Sequence, residues 1–172
     1  MTDDFWIVRD DVGIKCFPRV GSTTILLTYG YGQSCVRFMT ASRKYVVVRN
    51  PYDRLLSAYA LYQNRRYGDV PKIITLNDLL GYILKRTDEE RDIHVRSMTA
   101  QLQGYEPKEG EVVELKDFLA NPVLKIAPNH LRLHRNQTGR RPDTGEIDNG
   151  MLEEYLKQYL PDIELWKRAQ TR

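Results

Sequence analysis

The chain has 172 residues, of which 41% are hydrophobic and 28% are charged, and this balance excludes a disordered or fibrous protein. The length accommodates one domain with a sizeable core and is too short for two ordinary ones, so we expect a single domain over residues 1–172. The net charge of +3 is too small for a protein whose main task is to coat nucleic acid.

The sequence also bears on location and redox state. No stretch approaches the roughly 20 apolar residues of a membrane span, and the acidic start over Met1–Asp4 is unlike the basic start of a signal peptide. We therefore expect a cytoplasmic protein that binds neither a membrane nor nucleic acid. Cys16 and Cys35 are too few for a disulfide framework and lack the spacing of a metal site, so we expect free thiols and no metal.

The first predicted unit consists of two strands, a loop and a helix. Short, β-prone apolar runs predict strands over Phe5–Val8 and Val12–Phe17. After a loop, Thr23–Leu27 predicts the opening of a short helix that ends at Gly30 or Gly32. The second strand therefore leads through a loop directly into a helix.

A second strand-to-helix unit follows. Tyr45–Val48 is a continuous run rich in β-branched residues, which predicts a strand buried on both faces in a parallel sheet. Asn50 is a good N-cap and Pro51 suits the first helical position, so a helix should run from Pro51 to about Arg66. Its buried face should carry Leu55, Tyr59 and Tyr62.

The remainder of the chain continues this alternation. The sequence predicts a helix over Leu76–Lys85, a strand over Val112–Leu115, and a helix over Met151–Leu160 that continues for a further turn or two through Trp166. Strands that alternate with helices indicate an α/β protein. In an open parallel sheet of this kind, ligands bind where the strands exit.

The loop after the second strand has the composition of an anion-binding site. Gly21 lets the backbone approach a ligand closely, Arg19 adds a full positive charge, and several amides point outward at a helix start. The residues expected to bind the ligand through side chains or amides are Arg19, Val20, Gly21, Ser22, Thr23 and Thr24. The loop lacks the lysine of a Walker A motif, which disfavours a nucleoside-triphosphate kinase.

A second candidate binding cluster begins at the exit of the next strand. Arg49 stands directly after that strand, and Ser57 lies eight positions later in the following helix. One face of this helix should carry Asn50, Asp53, Arg54 and Ser57. Ser57 can then face the crevice beside Arg49. We assign Asp53 and Arg54 mainly to structure, with Asp53 favouring the helix dipole and Arg54 pairing locally.

Taken together, Pro18–Thr24 and Arg49–Ser57 resemble the two motifs that bind 3′-phosphoadenosine 5′-phosphosulfate (PAPS) in the sulfotransferase superfamily. The similarity is closest to the carbohydrate sulfotransferase branch. This resemblance implies a three-layer, P-loop-like fold with a central, mainly parallel sheet flanked by helices. It also implies that the first loop holds the 5′-phosphosulfate, whereas Arg49 and Ser57 hold the 3′-phosphate.

The resemblance further implies a reaction and a co-substrate. A sulfuryl group would move from PAPS to a hydroxyl or amine of an acceptor, leaving 3′-phosphoadenosine 5′-phosphate (PAP), and no metal is expected. Many members of the superfamily carry lysine where this chain has Arg19, and others carry arginine. Arginine stabilises the leaving phosphate as a fixed cation but does not donate a proton at neutral pH. We therefore expect electrostatic catalysis at Arg19.

The general base must come from outside the segment between the motifs, because residues 28–44 contain neither histidine nor glutamate. The stretch Asp92–Arg96 resembles a histidine-containing, substrate-side segment of the carbohydrate branch, and this resemblance makes His94 our candidate for the base. A structural histidine bonded to the backbone is an equally open interpretation. Further candidates for the base are His130, His134, Glu90 and Asp92.

The most basic stretch of the chain lies over Lys125–Pro142, which carries five lysines and arginines and no acidic residue. Arg140 and Arg141 in this stretch are expected to fold over the 3′-phosphate or to receive an anionic acceptor such as a sulfated or uronic-acid glycan. A solvated loop without a ligand is the alternative. A carbohydrate acceptor is therefore favoured, while small alcohols, amines, lipids and peptides stay open.

Two other classes of function stay open as well. One is a nucleotide-dependent phosphotransferase of related α/β architecture, which magnesium-dependent ATP turnover would support. The other is a non-catalytic module that binds PAP, PAPS or a glycan, which would show binding without turnover. Four tyrosines are candidates for an adenine stack or a sugar platform, although core packing is favoured for each: Tyr29, Tyr31, Tyr62 and Tyr67.

Overall fold

The computed structural model of the chain describes residues 5–20, 22, 25–26, 35–64, 70–121 and 143–171. Within them lies a four-stranded sheet of β1 (Trp6–Arg9), β2 (Val12–Lys15), β3 (Arg43–Val48) and β4 (Val112–Glu114), in the order β1-β2-β3-β4. β1 and β2 are antiparallel, whereas β2 pairs with β3, and β3 with β4, in parallel. The sheet is therefore mixed but mostly parallel, and the predicted α/β class is confirmed.

A tight hairpin joins the two antiparallel strands. Only Asp10 and Asp11 separate β1 from β2, and both have positive φ, at 48° and 61°. Two left-handed residues between paired strands are typical of the type I′ turn, whose twist matches that of the sheet, and aspartate tolerates this conformation better than most residues. The hairpin places β1 at one edge and leaves β2 beside β3.

Six helices and one short 3₁₀ helix are described around the sheet. They are α1 (Cys35–Thr40), α2 (Pro51–Asn64), α3 (Leu76–Leu84), the 3₁₀ helix Ala100–Leu102, α4 (Leu115–Ala120), α5 (Asn149–Gln158) and α6 (Leu160–Lys167). The predicted helices after β3 are confirmed, and the predicted strand near Val112 ends one residue early because Leu115 starts α4. Within the described part of the chain, no helix combines the length and the apolar character needed to cross a bilayer.

The last predicted helix is divided in two. α5 ends at Gln158 and α6 begins at Leu160, with Tyr159 between them outside ideal helical geometry, at φ −96° and ψ 16°. Pro161 has no amide proton to donate, so a continuous helix cannot pass through it without losing a hydrogen bond. The break lets α5 and α6 pack on different parts of the molecule.

The buried apolar residues form two clusters. The sheet core is built on the strands and includes Trp6, Ile14, Phe38 and Val47, and α6 adds Leu165. The helical core lies between α2, α3 and α5 and includes Leu55, Leu80 and Tyr155. Helix α1 packs closely on the sheet because Gly13 has no side chain; a Cβ there would lie 2.7 Å from the Phe38 ring. Helix α2 packs instead with α3 and α5 in the helical core.

Candidate functional site

The exits of β2 and β3 lie side by side, because the two strands are adjacent and parallel. Pro18–Val20 follows β2 as a turn, and Arg49 follows β3 directly. The two segments singled out in the sequence therefore meet at the same edge of the sheet, where open α/β sheets bind ligands. We call this region, residues 18–20, 22 and 49–57, the two-loop site.

Two guanidinium contacts connect the halves of the two-loop site. Arg19 Nε and Nη2 donate to Ser57 Oγ at 3.1 and 2.8 Å. Arg49 Nη1 donates to the Arg19 carbonyl oxygen at 3.2 Å. The residues expected to hold the two ends of the nucleotide thus lie within one hydrogen-bonded group. Ser57 accepts both bonds from Arg19, so its own hydroxyl proton is still available to donate to an anion.

Arg49 is a half-buried cation. Burial lowers the pKa of its guanidinium, and Asp53 partly opposes that shift. Among the residues that the structure describes, Arg49 forms no ion pair with a carboxylate. A partly desolvated charge that no carboxylate contacts directly is costly, and a bound anion would offset that cost.

The start of α2 is fixed from both sides. Asn50 Oδ1 accepts from the Tyr52 amide at 2.9 Å, which confirms the predicted N-cap. Tyr155 of α5 donates its hydroxyl to the Pro51 carbonyl oxygen at 3.2 Å. The backbone beside Arg49 is therefore held in place by the helix itself and by a buried tyrosine.

The prediction that Arg54 pairs locally is wrong. Arg54 is 2% exposed, and its Nε donates across the site to the Pro18 carbonyl oxygen at 3.0 Å. Its charge also acts on the buried Asp162 of α6. The Arg54 side chain is long enough to reach the first loop because α2 starts beside that loop, so Arg54 fixes the loop at the residue before Arg19.

The loop after β2 has its own backbone constraints. Arg19 adopts a left-handed conformation with φ 66°, which is uncommon for a residue with a side chain. The Val20 side chain is fully buried, and its amide donates to the Phe17 carbonyl oxygen at 3.2 Å. Val20 therefore anchors the loop in the sheet core. Ser22 is helical and half-buried.

His94 lies in a separate loop, residues 88–99, which we call the His94 loop. Its Nδ1 lies 2.7 Å from Asp92 Oδ1, and its backbone amide donates to the same oxygen at 3.0 Å. Tyr62 of α2 donates its hydroxyl to this oxygen as well, and its ring meets the imidazole edge to face, with centroids 6.3 Å apart. Asp92 is thus the hydrogen-bond partner of His94.

Burial and these hydrogen bonds shift the pKa values of Asp92 and Tyr62. Burial acts to raise the pKa of the Asp92 carboxyl, but the hydrogen bonds from His94 and Tyr62 outweigh it and lower the pKa to about 2. Burial, together with the bond to Asp92, raises the pKa of the Tyr62 phenol well above its usual value. Tyr62 is 5% exposed, so it packs in the core and offers little surface to an adenine ring or a sugar.

Two tyrosines of the helical core lie between the His94 loop and the two-loop site. Tyr155 and Tyr159 stack with centroids 4.2 Å apart. Tyr155 bonds to Pro51 at the start of α2, and Tyr159 donates its hydroxyl to the Val95 carbonyl oxygen. Tyr62 and Ser57 lie on the same helix five residues apart, an axial offset of about 7.5 Å. The two regions therefore share one helical support.

Several predicted site residues lie outside the described part of the chain: Gly21, Thr23, Thr24, His130, His134, Arg140, Arg141, Tyr29, Tyr31 and Tyr67. Their roles stay predictions. Glu90, another candidate base, is exposed and accepts from the Thr87 amide at 2.9 Å. Among the described residues, no group of three or more histidine, cysteine, aspartate and glutamate side chains is placed to hold a metal ion.

Comparison of the chain with protein-family models, with curated proteins and with solved structures gives no significant match. The functional argument therefore depends on the residues and their geometry. Sequence reasoning did not find the long-range contact of Arg54 or the pairing of Asp92 with His94. The sequence did contain a signal for the pairing of Asp92 with His94, because an aspartate side chain often accepts from the backbone amide two residues later.

Proposed function

We propose that this protein is a PAPS-dependent sulfotransferase that transfers a sulfuryl group to a hydroxyl or amine, with a carbohydrate as the acceptor class. The observation that carries the proposal is the meeting of Arg19, Arg49 and Ser57 at the exits of two adjacent parallel strands. The resemblance of both segments to PAPS-binding motifs supports it. The proposal includes a three-layer, P-loop-like arrangement, of which the mostly parallel sheet would be the centre.

In the proposed complex, Arg49 and Ser57 bind the 3′-phosphate. Arg49 supplies a half-buried positive charge without a carboxylate partner among the described residues, and Ser57 supplies a hydroxyl donor. A charge-assisted pair of this kind is stronger than a neutral hydrogen bond. ADP lacks a 3′-phosphate and should therefore bind weakly.

Arg19 acts on the other end of the nucleotide. The acceptor oxygen attacks sulfur, the bond between sulfur and the bridging oxygen of the 5′-phosphate breaks, and the electron pair stays on PAP. Negative charge therefore grows on the leaving oxygen, where a fixed guanidinium stabilises the transition state more than the ground state. The proton of the acceptor goes to a base, for which we propose His94.

The test is calorimetric titration of the purified chain with PAP and with ADP in buffer without divalent metal. We expect micromolar binding of PAP, weaker binding of ADP, and loss of PAP binding in Arg49→Ala. The matched control is Arg43→Ala, because Arg43 is an exposed arginine at the opposite end of the same strand. It should bind PAP as the unchanged protein does.

The outcome separates the three classes of function. Failure to bind PAP, or equal binding of ADP, would overturn the proposal and favour a phosphotransferase or another ligand. PAP binding without transfer from labelled PAPS to any member of a carbohydrate, alcohol and amine panel would identify a non-catalytic binding module. Selective PAP binding with transfer to a carbohydrate would support both parts of the proposal.

A further inference from the structure

One oxygen of Asp92 is contacted by three groups. Its Oδ1 accepts the Tyr62 hydroxyl and the His94 amide, and it lies 2.7 Å from His94 Nδ1. The amide can act only as a donor, and the carboxylate is ionised at neutral pH because its pKa is about 2. An oxygen of an ionised carboxylate accepts and does not donate.

This arrangement determines which nitrogen of His94 carries the proton. Since Asp92 Oδ1 can only accept, the 2.7 Å contact requires a proton on Nδ1. In a neutral imidazole the other nitrogen, Nε2, then carries the lone pair. About a quarter of the His94 side-chain surface is exposed, 24%, so the ring lies at the surface of the helical core rather than within it.

The loop that carries this pair is held from several sides. Gln101 donates its amide to the carbonyl oxygens of Ile93 and Arg96 at 3.3 and 2.9 Å. The buried Asp162 accepts the Met98 and Thr99 amides at 2.7 and 2.9 Å. These bonds fix the backbone on the far side of His94, and the Tyr62 ring meets the imidazole from α2. The ring is therefore held in one orientation before any ligand binds.

We propose that Asp92 is the positioning residue for His94, because its carboxylate holds Nδ1–H and so keeps the lone pair on Nε2, the nitrogen that takes the acceptor proton. When Nε2 takes that proton, the ring becomes an imidazolium ion, and the adjacent carboxylate stabilises its charge. This inference rests on the proposed function, since it assigns the proton acceptor of that reaction. Asp92 itself transfers no proton.

The first test is nitrogen-detected NMR of protein labelled at histidine, with His94→Gln to assign the His94 signals among the three histidines. We expect Nδ1–H in the unchanged protein and the loss of this preference in Asp92→Ala. Asp92→Asn keeps an acceptor oxygen without the charge and should retain part of the preference. A proton on Nε2 in the unchanged protein, or an unaltered tautomer in Asp92→Ala, would overturn the inference.

The second test uses transfer from labelled PAPS to the acceptor found in the panel above. Asp92→Ala should lower kcat by about 100-fold, which is within the usual contribution of a general base, and should leave PAP binding unchanged. The matched control is Asp88→Ala in the same loop, where the carboxylate accepts from the Ser97 amide and hydroxyl at 2.9 and 2.6 Å. It should lower stability without changing the His94 tautomer or kcat.

These measurements distinguish the two proposals. Absence of PAP binding would overturn the proposed function, and the role of Asp92 with it. Normal PAP binding and transfer, with equal kcat in Asp92→Ala and the unchanged protein, would overturn only the role of Asp92. An equal loss of kcat in Asp88→Ala would also overturn it, because loosening the loop would then explain the effect.

Discussion

In the two-loop site, arginines donate to backbone carbonyls and to one hydroxyl, whereas in the His94 loop carboxylates accept from amides, hydroxyls and an imidazole. The first region has cationic groups at a sheet edge, with Arg49 lacking a carboxylate partner among the described residues. The second region satisfies its own polar groups through a dense local network. In the proposed function, the first region would receive an anion, and in the second region Asp92 would hold the His94 ring.

The largest effect is expected where the two-loop site depends on a buried charge. Replacement of Arg54 by methionine removes the bond to Pro18 and the favourable charge that Arg54 exerts on the buried Asp162. We expect the free energy of unfolding to fall by about 3 kcal/mol, because a buried hydrogen bond and a compensating charge are lost together. PAP affinity should fall as well, since the loop that carries Arg19 loses its anchor.

Chemical denaturation and PAP titration measure these two effects of Arg54→Met. The control is Arg86→Met on α3's C-terminal side, where the guanidinium stacks on the Tyr82 ring at 4.2 Å. That contact should contribute no more than about 1 kcal/mol. If Arg54→Met lost no more stability than Arg86→Met, groups other than Arg54 would hold the first loop.

The next largest effect is expected in the pH dependence of stability, to which Asp92 of the His94 loop contributes. The pKa of Asp92 is lowered in the folded protein, from 3.8 to about 2, so its contribution to stability is present above pH 4 and is lost as pH falls towards 2. The shift corresponds to about 2 kcal/mol at neutral pH. In Asp92→Asn, stability should therefore be lower at pH 7 and should fall less between pH 4 and pH 2.

Denaturation curves recorded across this pH range test the assignment. The contribution of Asp162 to the pH dependence of stability should have the opposite sign. Burial raises the pKa of Asp162 despite the nearby Arg54, so its ionisation reduces stability as pH rises. Asp162→Asn should therefore increase the loss of stability on acidification. If Asp92→Asn and the unchanged protein lost stability equally on acidification, the carboxylate would not be held by His94 and Tyr62 as described.

The smallest effect compares two helix caps. Asn50→Ala removes the cap of α2, and Thr75→Ala removes the cap of α3, where Thr75 and Asp78 form a capping box. Each change should cost about 1 kcal/mol of stability. Only Asn50→Ala should also weaken PAP binding, because Asn50 lies beside Arg49. Equal PAP affinity in both variants would show that the start of α2 does not control PAP binding.

The fold could be predicted well where local chemistry decides it. The β-branched run in β3, the cap at Asn50 and the apolar faces of α2 and α3 are local signals, and the corresponding elements are confirmed. The division into α5 and α6 was less visible, although Pro161 marks it. The antiparallel pairing of β1 depends on the tight turn at Asp10 and Asp11, which a prediction of strands alone does not include.

The candidate site was less predictable, because its contacts join distant parts of the chain. Helix periodicity predicted that Arg54 and Ser57 share a face, but the bond from Arg19 to Ser57 spans 38 residues and that from Arg54 to Pro18 spans 36. Such contacts depend on how α2 leaves the sheet. The pairing of Asp92 with His94 had a local signal, but the bond from Tyr62 to Asp92 spans 30 residues, and no local pattern contains it.

The left-handed backbone at Arg19 has a consequence for how this position can vary. Glycine adopts φ 66° without the steric cost that a side chain brings, so Arg19→Gly would relieve strain of about 1 kcal/mol. The same change removes both hydrogen bonds to Ser57, so the relieved strain and the lost bonds act on stability in opposite directions. Arginine therefore suits this position through its side-chain contacts and not through its backbone conformation.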